Sequence, residues 1–229
     1  MVAGYGKLVI VHDVSFTVKR KEILALLGPN GSGKSTILKS IIGIADVKSG
    51  NITVDGTNIV GMNTENITKA RLSYVPQREN VFPNLTAKEN LEIGAITLRD
   101  KSQVRDEMER VVSLFPQLRE FSSKKAGNLS GGQRQMLALG RGLMLRPKVL
   151  LLDEPTAALA PQVATEVLKK VGEIRESGVT VLIVEQNARE ALAVSDVGVV
   201  LASGSVILED KPLAILNNAE VIKLFLGVA

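Results

Sequence analysis

A stretch of glycine, lysine and hydroxyl residues near the start of the chain has the types and spacing needed to bind phosphate. It runs from Gly28 to Thr36 and fits the pattern of Gly, four residues, Gly, Lys, then Ser or Thr. Glycines let successive backbone N–H groups curve around a phosphate, and Lys34 adds a full positive charge. The Ser35 hydroxyl would bind the Mg²⁺ that accompanies a nucleotide. A glycine-rich turn that binds nothing is the alternative. The nucleotide-binding candidates here are Gly28, Asn30, Gly31, Ser32, Gly33, Lys34, Ser35 and Thr36.

Two acidic residues follow an apolar run later in the chain. The run 149–152 has the continuous apolar character of a parallel strand that is buried on both faces, and Asp153 and Glu154 come directly after it. Ligands bind at the carboxyl ends of strands in open α/β sheets. We therefore expect Asp153 to hold Mg²⁺ and Glu154 to orient or deprotonate an attacking water. Capping of the following helix is the alternative role for these acids.

A second glycine-rich segment, Leu129-Ser-Gly-Gly-Gln133, precedes a predicted helix over 135–145. The start of a helix presents free N–H groups and positive charge, so Ser130, Gly131 and Gly132 form a second candidate phosphate-binding edge. One copy of the chain offers no evident way to bring this edge and Lys34 onto one nucleotide, whereas two copies arranged head to tail would do so. A simple glycine-rich helix cap is the alternative.

The elements that must position these residues alternate between strand and helix. We predict strands at 8–18, 23–27, 52–54, 72–75, 149–152, 179–184, 197–202 and 206–208, and helices at 36–42, 86–96, 102–115, 135–145, 161–176, 187–194, 212–216 and 219–226. This order predicts an α/β fold. The expected core is of the P-loop NTPase type, with a mixed, largely parallel sheet, helices on both faces and an N-terminal antiparallel β portion. A helical subdomain is expected at about 77–145, inserted into a core of 1–76 and 146–229, within a single domain of 1–229.

Composition excludes several kinds of site. The chain has 229 residues, of which 45% are hydrophobic and 23% charged, as in ordinary globular proteins. It has no cysteine, so disulfides, thiolate metal sites and thiol nucleophiles are excluded. The longest uncharged run, 197–208, is too short to span a bilayer, and no N-terminal signal segment is evident, so we expect a cytoplasmic location. The net charge of +4 does not discriminate among nucleotide, nucleic acid and an acidic membrane surface.

The ordered motifs together resemble the nucleotide-binding domain of the ATP-binding cassette transporters. These motifs are Gly28–Thr36, Gln77, Leu129–Gln133 and Leu150–Pro155, and the resemblance spans essentially the whole chain. It implies an ATPase that binds ATP and Mg²⁺ and that works as a head-to-tail pair of ATP-binding subunits. It also implies integral-membrane permease subunits as partners, at the cytoplasmic face of the cell membrane, and no nucleic acid.

The resemblance implies roles for single residues. From local sequence alone, Tyr5 could stack on an adenine ring or cap a strand edge, and it resembles the family's adenine-stacking aromatic. Gln77 resembles the glutamine that joins the two lobes near the metal, so it is a candidate for both nucleotide and metal binding. The other implied roles are metal binding by Ser35 and Asp153, nucleotide binding by Ser130, Gly131, Gly132 and Gln133, and catalysis by Glu154.

Two positions depart from the family pattern. Gln186 stands where most members have a histidine that contacts the γ-phosphate, and we count it with Glu154 as a catalytic candidate. A glutamine can donate a hydrogen bond there, but it cannot become a cation or accept a proton as imidazole does. Ala160 stands where an aspartate often contacts the partner subunit.

Several short segments of the sequence resemble those of one group within the family, the ATPase subunits of branched-chain amino acid importers. They are Tyr5–Lys7, Leu159–Pro161, Val184–Ala188 and Leu226-Gly227. They favour the uptake of branched-chain or other hydrophobic amino acids. The alternatives are a cassette ATPase without a transport role, such as one for iron–sulfur cluster assembly, and a regulatory sensor that binds nucleotide without turnover. The apolar pair Val81-Phe82 in an otherwise polar loop is predicted to dock on a membrane subunit.

Overall fold

Buried apolar runs build the central sheet of the computed structural model, which describes residues 1–226. The strands are β1 (Val2–Tyr5), β2 (Leu8–Val11), β3 (Ile23–Leu27), β4 (Asp46–Ser49), β5 (Thr53–Val54), β6 (Thr57–Asn58), β7 (Leu72–Val75), β8 (Val149–Asp153), β9 (Thr180–Glu185), β10 (Val197–Ala202) and β11 (Ser205–Asp210). The central sheet has the order β11-β10-β3-β9-β8-β7. Its neighbouring strands pair in parallel, except for the antiparallel pair β10 and β11. A separate antiparallel sheet has the order β2-β1-β4, and β5 and β6 form a hairpin.

Helices connect these strands. They are α1 (Lys34–Ile41), α2 (Thr64–Lys69), α3 (Ala87–Gly94), α4 (Lys101–Leu114), α5 (Gln117–Glu120), α6 (Gly131–Leu143), α7 (Pro161–Glu176), α8 (Ala188–Val194), α9 (Pro212–Leu216) and α10 (Ala219–Leu226). A short 3₁₀ turn covers Ala126–Asn128. Within residues 1–226, no helix combines the length and the apolar character needed to cross a membrane.

Alternate residues of β3 face opposite sides of the central sheet, and each side has its own apolar cluster. Ile23, Ala25 and Leu27 join the cluster that contains apolar residues of α6, α7 and α8. Leu24 and Leu26 join the other cluster, with apolar residues of α1, α2 and the antiparallel sheet. A strand that is covered on both faces must be apolar throughout, which explains the uninterrupted run in β3. The predicted α/β fold is confirmed, with its largely parallel sheet, helices on both faces and antiparallel N-terminal portion.

The stretch between Gln77 and Leu145 forms α3 to α6, and its described residues contain no β-strand. Val111 of α4 and Leu137 of α6 lie in the same buried cluster as Leu150 of β8, so these helices share their core with the central sheet. The division into a core of 1–76 and 146–229 and a helical subdomain of about 77–145 stays a prediction.

The first predicted strand is wrong in length. It was expected to continue from Leu8 to residue 18, but β2 ends at Val11. Asp13 then adopts a positive φ of 49°, and the Val14 N–H donates a hydrogen bond to the Met1 carbonyl at 3.0 Å. This turn takes the chain out of the ladder, so His12 lies one residue beyond the strand rather than within it.

Other differences concern short or capped elements. The strand β4 and the helix α2 were not predicted, because β4 is a mostly polar edge strand and α2 is only six residues long. The helix predicted from residue 135 begins at Gly131, and the strand predicted at 179–184 lies at 180–185. Gly227, part of the similarity at the C-terminus, lies outside the described residues.

Candidate functional site

The phosphate loop, Gly28–Thr36, connects β3 to α1, as predicted. Gly33 caps α1 with a φ of 99° and no side-chain hydrogen bond, so the N–H groups at the helix start remain available to a ligand. A Cβ atom on Gly28 would lie 2.4 Å from the Leu201 carbonyl oxygen. Only glycine therefore permits the close approach of this loop to β10.

Two side chains of the phosphate loop are directed at its interior. The Lys34 ammonium donates hydrogen bonds to the carbonyls of Gly28 at 2.7 Å and Pro29 at 3.0 Å. Burial lowers the pKa of Lys34, and the negative charges of Glu154 and Asp153 oppose that shift. The Ser32 hydroxyl is buried and has no hydrogen-bond partner within the described residues. A phosphate oxygen would satisfy this orphaned group, so the loop fits the triphosphate of a nucleotide.

Asp153 connects the phosphate loop to the central sheet. It lies at the carboxyl end of β8 and is 5% exposed. Its Oδ1 accepts a hydrogen bond from the Ser35 hydroxyl at 2.8 Å, and its Oδ2 accepts one from the Tyr74 hydroxyl at 3.0 Å. Burial, with the charge of Asp153, raises the pKa of Tyr74, which keeps its hydroxyl a donor. A hydroxyl beside a carboxylate is an oxygen donor set that fits Mg²⁺.

Glu154 follows Asp153 in a strained backbone conformation. Its φ is 47°, in the left-handed region that a glutamate rarely adopts, and its N–H donates to the Val184 carbonyl of β9 at 2.9 Å. Its Oε2 accepts a hydrogen bond from the Gln77 amide at 2.7 Å. The structure therefore brings together three of the predicted site residues, Gln77, Asp153 and Glu154, at one edge of the sheet.

A buried glutamate that was not predicted lies beside them. Glu185 ends β9, immediately before Gln186, and is 3% exposed. Its Oε1 accepts hydrogen bonds from the Thr156 backbone N–H at 3.0 Å and from the Thr156 hydroxyl at 2.8 Å. Burial raises the pKa of Glu185 to about 7, against the two Thr156 hydrogen bonds, and the charge of Glu154 adds to the rise. Gln186 itself is exposed at the same edge.

The remaining candidates near the phosphate loop differ in exposure. Tyr5 ends β1 and is 39% exposed. It lies near enough to Tyr74 to contribute to the raised pKa of that residue, after burial and Asp153. Asn30 and Gly31 form the exposed tip of the loop, whereas Thr36 is buried in α1.

The signature segment, Leu129–Gln133, forms the start of α6. The Ser130 hydroxyl accepts from the Gln133 N–H at 3.2 Å, while the Gln133 side chain accepts from the Ser130 N–H at 3.0 Å, which is a capping box. Each hydrogen bond of these two side chains thus lies within the cap itself, and none joins them to the phosphate loop within residues 1–225. A Cβ atom on Gly132 would lie 2.4 Å from Val163 of α7, which explains a glycine there.

Ala160, where the family often has an aspartate that contacts the partner subunit, lies at the start of α7. Ala160 caps α7 without a side-chain hydrogen bond and is exposed, so an aspartate there would have room.

In the docking loop, Asn80–Pro83, only one of the two apolar residues is exposed to a partner, since Val81 is 9% exposed and Phe82 45%. The Phe82 ring lies under the Arg141 guanidinium at 5.1 Å. The expectation that Val81 takes part in docking is wrong, because its side chain packs in the core.

Known proteins match this chain over nearly its whole length. The sequence pattern of the family described as ABC transporter matches residues 11–157. The chain is 42% identical to the high-affinity branched-chain amino acid transport ATP-binding protein BraG of Pseudomonas aeruginosa, over 97% of this chain and 95% of that protein. It is 44% identical to the probable branched-chain amino acid transport ATP-binding protein LivF of Archaeoglobus fulgidus, over 99% of this chain and 96% of that protein.

Solved structures share the fold. The ADP conformation of an ATP-binding cassette of an ABC transporter matches with a TM-score of 0.90 and 26% identity, over 99% of this chain and 96% of that chain. A dimeric bacterial ABC transporter cassette matches with a TM-score of 0.78 and 26% identity, over 93% of this chain and 99% of that chain. None of these relatives and structures has a description that supports the iron–sulfur alternative.

Proposed function

Because this chain belongs to the ABC transporter family, as an ATP-binding subunit, we propose that it hydrolyses ATP to drive transport through separate membrane subunits. The observation that carries this proposal is the pair of acids at the end of β8. Asp153 is bonded to the Ser35 hydroxyl of the phosphate loop, and Glu154 follows directly, held by Gln77. This arrangement sets a metal-binding carboxylate and a general base side by side at a phosphate site.

Nucleotide binding is assigned to the phosphate loop and Tyr5. The open N–H groups at the start of α1 and the Lys34 ammonium would bind phosphate oxygens, and Tyr5 would stack on the adenine ring. Ser35, Asp153 and Gln77 would hold Mg²⁺, and the bound ion would neutralise charge on the phosphate oxygens. The buried Ser32 hydroxyl would gain its missing partner from a phosphate oxygen.

The chemical step is assigned to Glu154. Its carboxylate takes a proton from a water molecule while the water oxygen bonds to the γ-phosphorus. The bond from this phosphorus to the bridging oxygen breaks, and ADP and phosphate are the products. Gln186, at the same sheet edge, would donate a hydrogen bond to the γ-phosphate. Because a glutamine does not titrate, it stabilises charge there without exchanging a proton.

A second subunit is proposed to complete the site. Ser130, Gly131, Gly132 and Gln133 would bind the nucleotide held by the phosphate loop of the other copy or of a related chain. This would use the positive end of α6. Within one chain the Ser130 hydroxyl accepts from the Gln133 N–H, so its O–H remains free to donate to a phosphate oxygen.

The membrane partner is proposed to contact the docking loop. Asn90 is fully buried, and its side chain accepts from the Phe82 N–H at 2.7 Å and donates to the Phe82 carbonyl at 3.1 Å. These bonds present the Phe82 ring at the surface. Asn80 also donates to Gln135 of α6 at 2.8 Å, which connects the docking loop to the helix that begins at the signature segment. The subunit would thus work at the cytoplasmic face of the membrane, bound to its permease.

The proposed cargo is a branched-chain or other hydrophobic amino acid, taken up by the cell. Two relatives that match this chain at 42% and 44% identity are described as branched-chain amino acid transport ATP-binding proteins. The short segments Tyr5–Lys7, Leu159–Pro161 and Val184–Ala188 support the same assignment.

Replacement of the general base tests the proposed reaction. Glu154→Gln keeps the shape of the side chain but removes its basicity, so ATP turnover should fall by about a hundredfold or more. Phosphate release by the purified full chain measures this. Glu166→Gln, at an exposed position of α7, is the matched control and should retain turnover. Normal hydrolysis by Glu154→Gln would falsify the assignment.

A further inference from the structure

Glu185 is a buried carboxyl group that the proposed reaction does not use. Thr156 donates both its N–H and its hydroxyl to the same Glu185 oxygen, and the backbone N–H of Gln186 also acts on the carboxyl group. No Lys, Arg or His within residues 1–225 forms an ion pair with it. A buried carboxylate without a bonded cation is unfavourable for folding, so a glutamate here stabilises the protein poorly.

The position of Thr156 indicates what the contact achieves. Thr156 lies two residues after Glu154, and the intervening Pro155 cannot donate a backbone hydrogen bond. The turn 154–156 is therefore attached to β9 at two points. The Glu154 N–H bonds the Val184 carbonyl, and Thr156 bonds Glu185, the next residue of the strand. These two attachments hold Glu154 at its unfavourable φ of 47°.

The side-chain contact of Glu154 is weaker as an anchor. Its carboxylate bonds Gln77 on an exposed face, where water competes for the same atoms. The contacts between Glu185 and Thr156 are buried and exclude water. Glu185 thus fixes the backbone of Glu154 through Thr156, while Gln77 contacts only the carboxylate at the end of the Glu154 side chain.

We propose that Glu185 is a positioning residue for ATP hydrolysis, which fixes the direction of the Glu154 carboxylate by holding Thr156. The inference rests on the proposed function, because it has a consequence only if Glu154 acts as the base. It also connects two parts of the site, since Glu185 precedes Gln186 and the turn that it holds carries Glu154. The charged groups that interact with Glu185 are Lys34, across the site, and Glu154 itself.

Two substitutions of Glu185 separate positioning from charge. Glu185→Gln keeps an oxygen that can accept from both Thr156 donors, so kcat should stay within about threefold of the wild-type value. Glu185→Leu removes the acceptor, and the displaced base should lower kcat by roughly ten- to a hundredfold. The Kd for ATP, measured with the nonhydrolysing Glu154→Gln background, should change less than about twofold, because the Glu185 side chain forms no hydrogen bond with a residue of the phosphate loop.

A matched control comes from the opposite end of the same sheet. Glu22 is also a buried carboxyl group, just before β3, and it accepts a hydrogen bond from the Lys19 N–H. Glu22→Leu removes a buried carboxyl group from the same sheet, as Glu185→Leu does, but it should leave kcat unchanged. Should Glu185→Leu fail to fold, Thr156→Val tests the same contact by removing only the hydroxyl donor. That variant should lower kcat by about three- to tenfold, and Thr156→Ser should restore it.

The outcomes separate this inference from the proposed function. A drop in kcat in Glu185→Leu and Thr156→Val, with ATP binding retained and Glu22→Leu active, supports the positioning role. Full activity in Glu185→Leu or Thr156→Val, while Glu154→Gln is inactive, overturns the positioning role and leaves the proposed function intact. Normal activity in Glu154→Gln instead overturns the proposed function. Equal loss of kcat in Glu22→Leu would mean that loss of a buried carboxyl group in the sheet lowers kcat through general stability, which overturns the inference.

Discussion

The helices α1 and α6 both begin at glycine-rich segments, yet their first turns are arranged in opposite ways. The start of α1 has no side-chain cap, and the buried Lys34 lies beside its free N–H groups. The start of α6 is closed by a reciprocal capping box between Ser130 and Gln133. The start of α1 is therefore open to a phosphate within its own chain, whereas the start of α6 bonds the N–H groups of Ser130 and Gln133 internally and leaves those of Gly131 and Gly132 for a ligand.

This difference indicates that the two phosphate-binding edges have different functions, one in binding the nucleotide and the other in the association of two chains. The open start of α1, with a full positive charge, can bind a nucleotide in a single chain. The capped start of α6 is stable without a ligand, so a nucleotide presented by a second chain can bind it and then leave it. Tight binding would then depend on α1, and association of two chains on α6. The following substitutions test that division.

The largest effect is expected from Lys34→Met. Loss of the ammonium should slow ATP hydrolysis by at least about a hundredfold, because it removes a preorganised positive charge beside the phosphates. ATP binding by the single chain should weaken as well, measured by titration with a fluorescent ATP analogue. Lys39→Met, in the last turn of the same helix, is the control and should bind normally. Unchanged binding in Lys34→Met would show that the open start of α1 is not the nucleotide anchor.

A smaller effect is expected from Ser130→Ala. Loss of the cap should lower the free energy of unfolding by about 1 kcal/mol. Turnover should fall by about tenfold, while ATP binding by the single chain stays unchanged. Thr86→Ala removes a second capping box, with Glu89 at the start of α3, and should lower stability alone. Equal losses of turnover in the two variants would mean that Ser130 only caps its helix.

The third effect is on stability alone, with no change in turnover, and it concerns the pH dependence of unfolding beside the open site. The pKa of Glu185 is about 7 in the folded chain, against an ordinary 4.5, so the folded state retains a proton that the unfolded state releases. The free energy of unfolding should therefore fall as pH rises from about 4.5 to 7, by up to roughly 3 kcal/mol. Glu185→Gln should lack this slope, measured by urea unfolding at several pH values. Equal slopes in both proteins would contradict the raised pKa.

Contiguous motifs could be read from the sequence because their chemistry is local. The phosphate loop and the pair Asp153-Glu154 each lie at one junction of strand and loop, where composition predicts both the element and the ligand. The start of α6 was predicted four residues late, since the glycines Gly131 and Gly132 are poor helix formers. The capping box that overcomes this is formed by Ser130 and Gln133, and a Ser followed three residues later by Gln was the available signal.

Partners that meet through sheet pairing could not be read in the same way. Tyr74 reaches Asp153 across 79 residues of sequence, and Thr156 reaches Glu185 across 29. Both contacts depend on the order of β7, β8 and β9 in the sheet, and no local sequence pattern predicts that order. An acid at the carboxyl end of a buried strand did signal Asp153, and the same signal would have identified Glu185.

The molecular mass of Glu154→Gln in solution tests the shared site most directly. With saturating Mg·ATP, light scattering should show a change from the 24.5 kDa of one chain to twice that mass, since ATP is bound but not hydrolysed. Ser130→Ala or Lys34→Met in the same background should reduce that change. A mass of one chain at every ATP and protein concentration, with and without the membrane subunits, would contradict a nucleotide held between two chains.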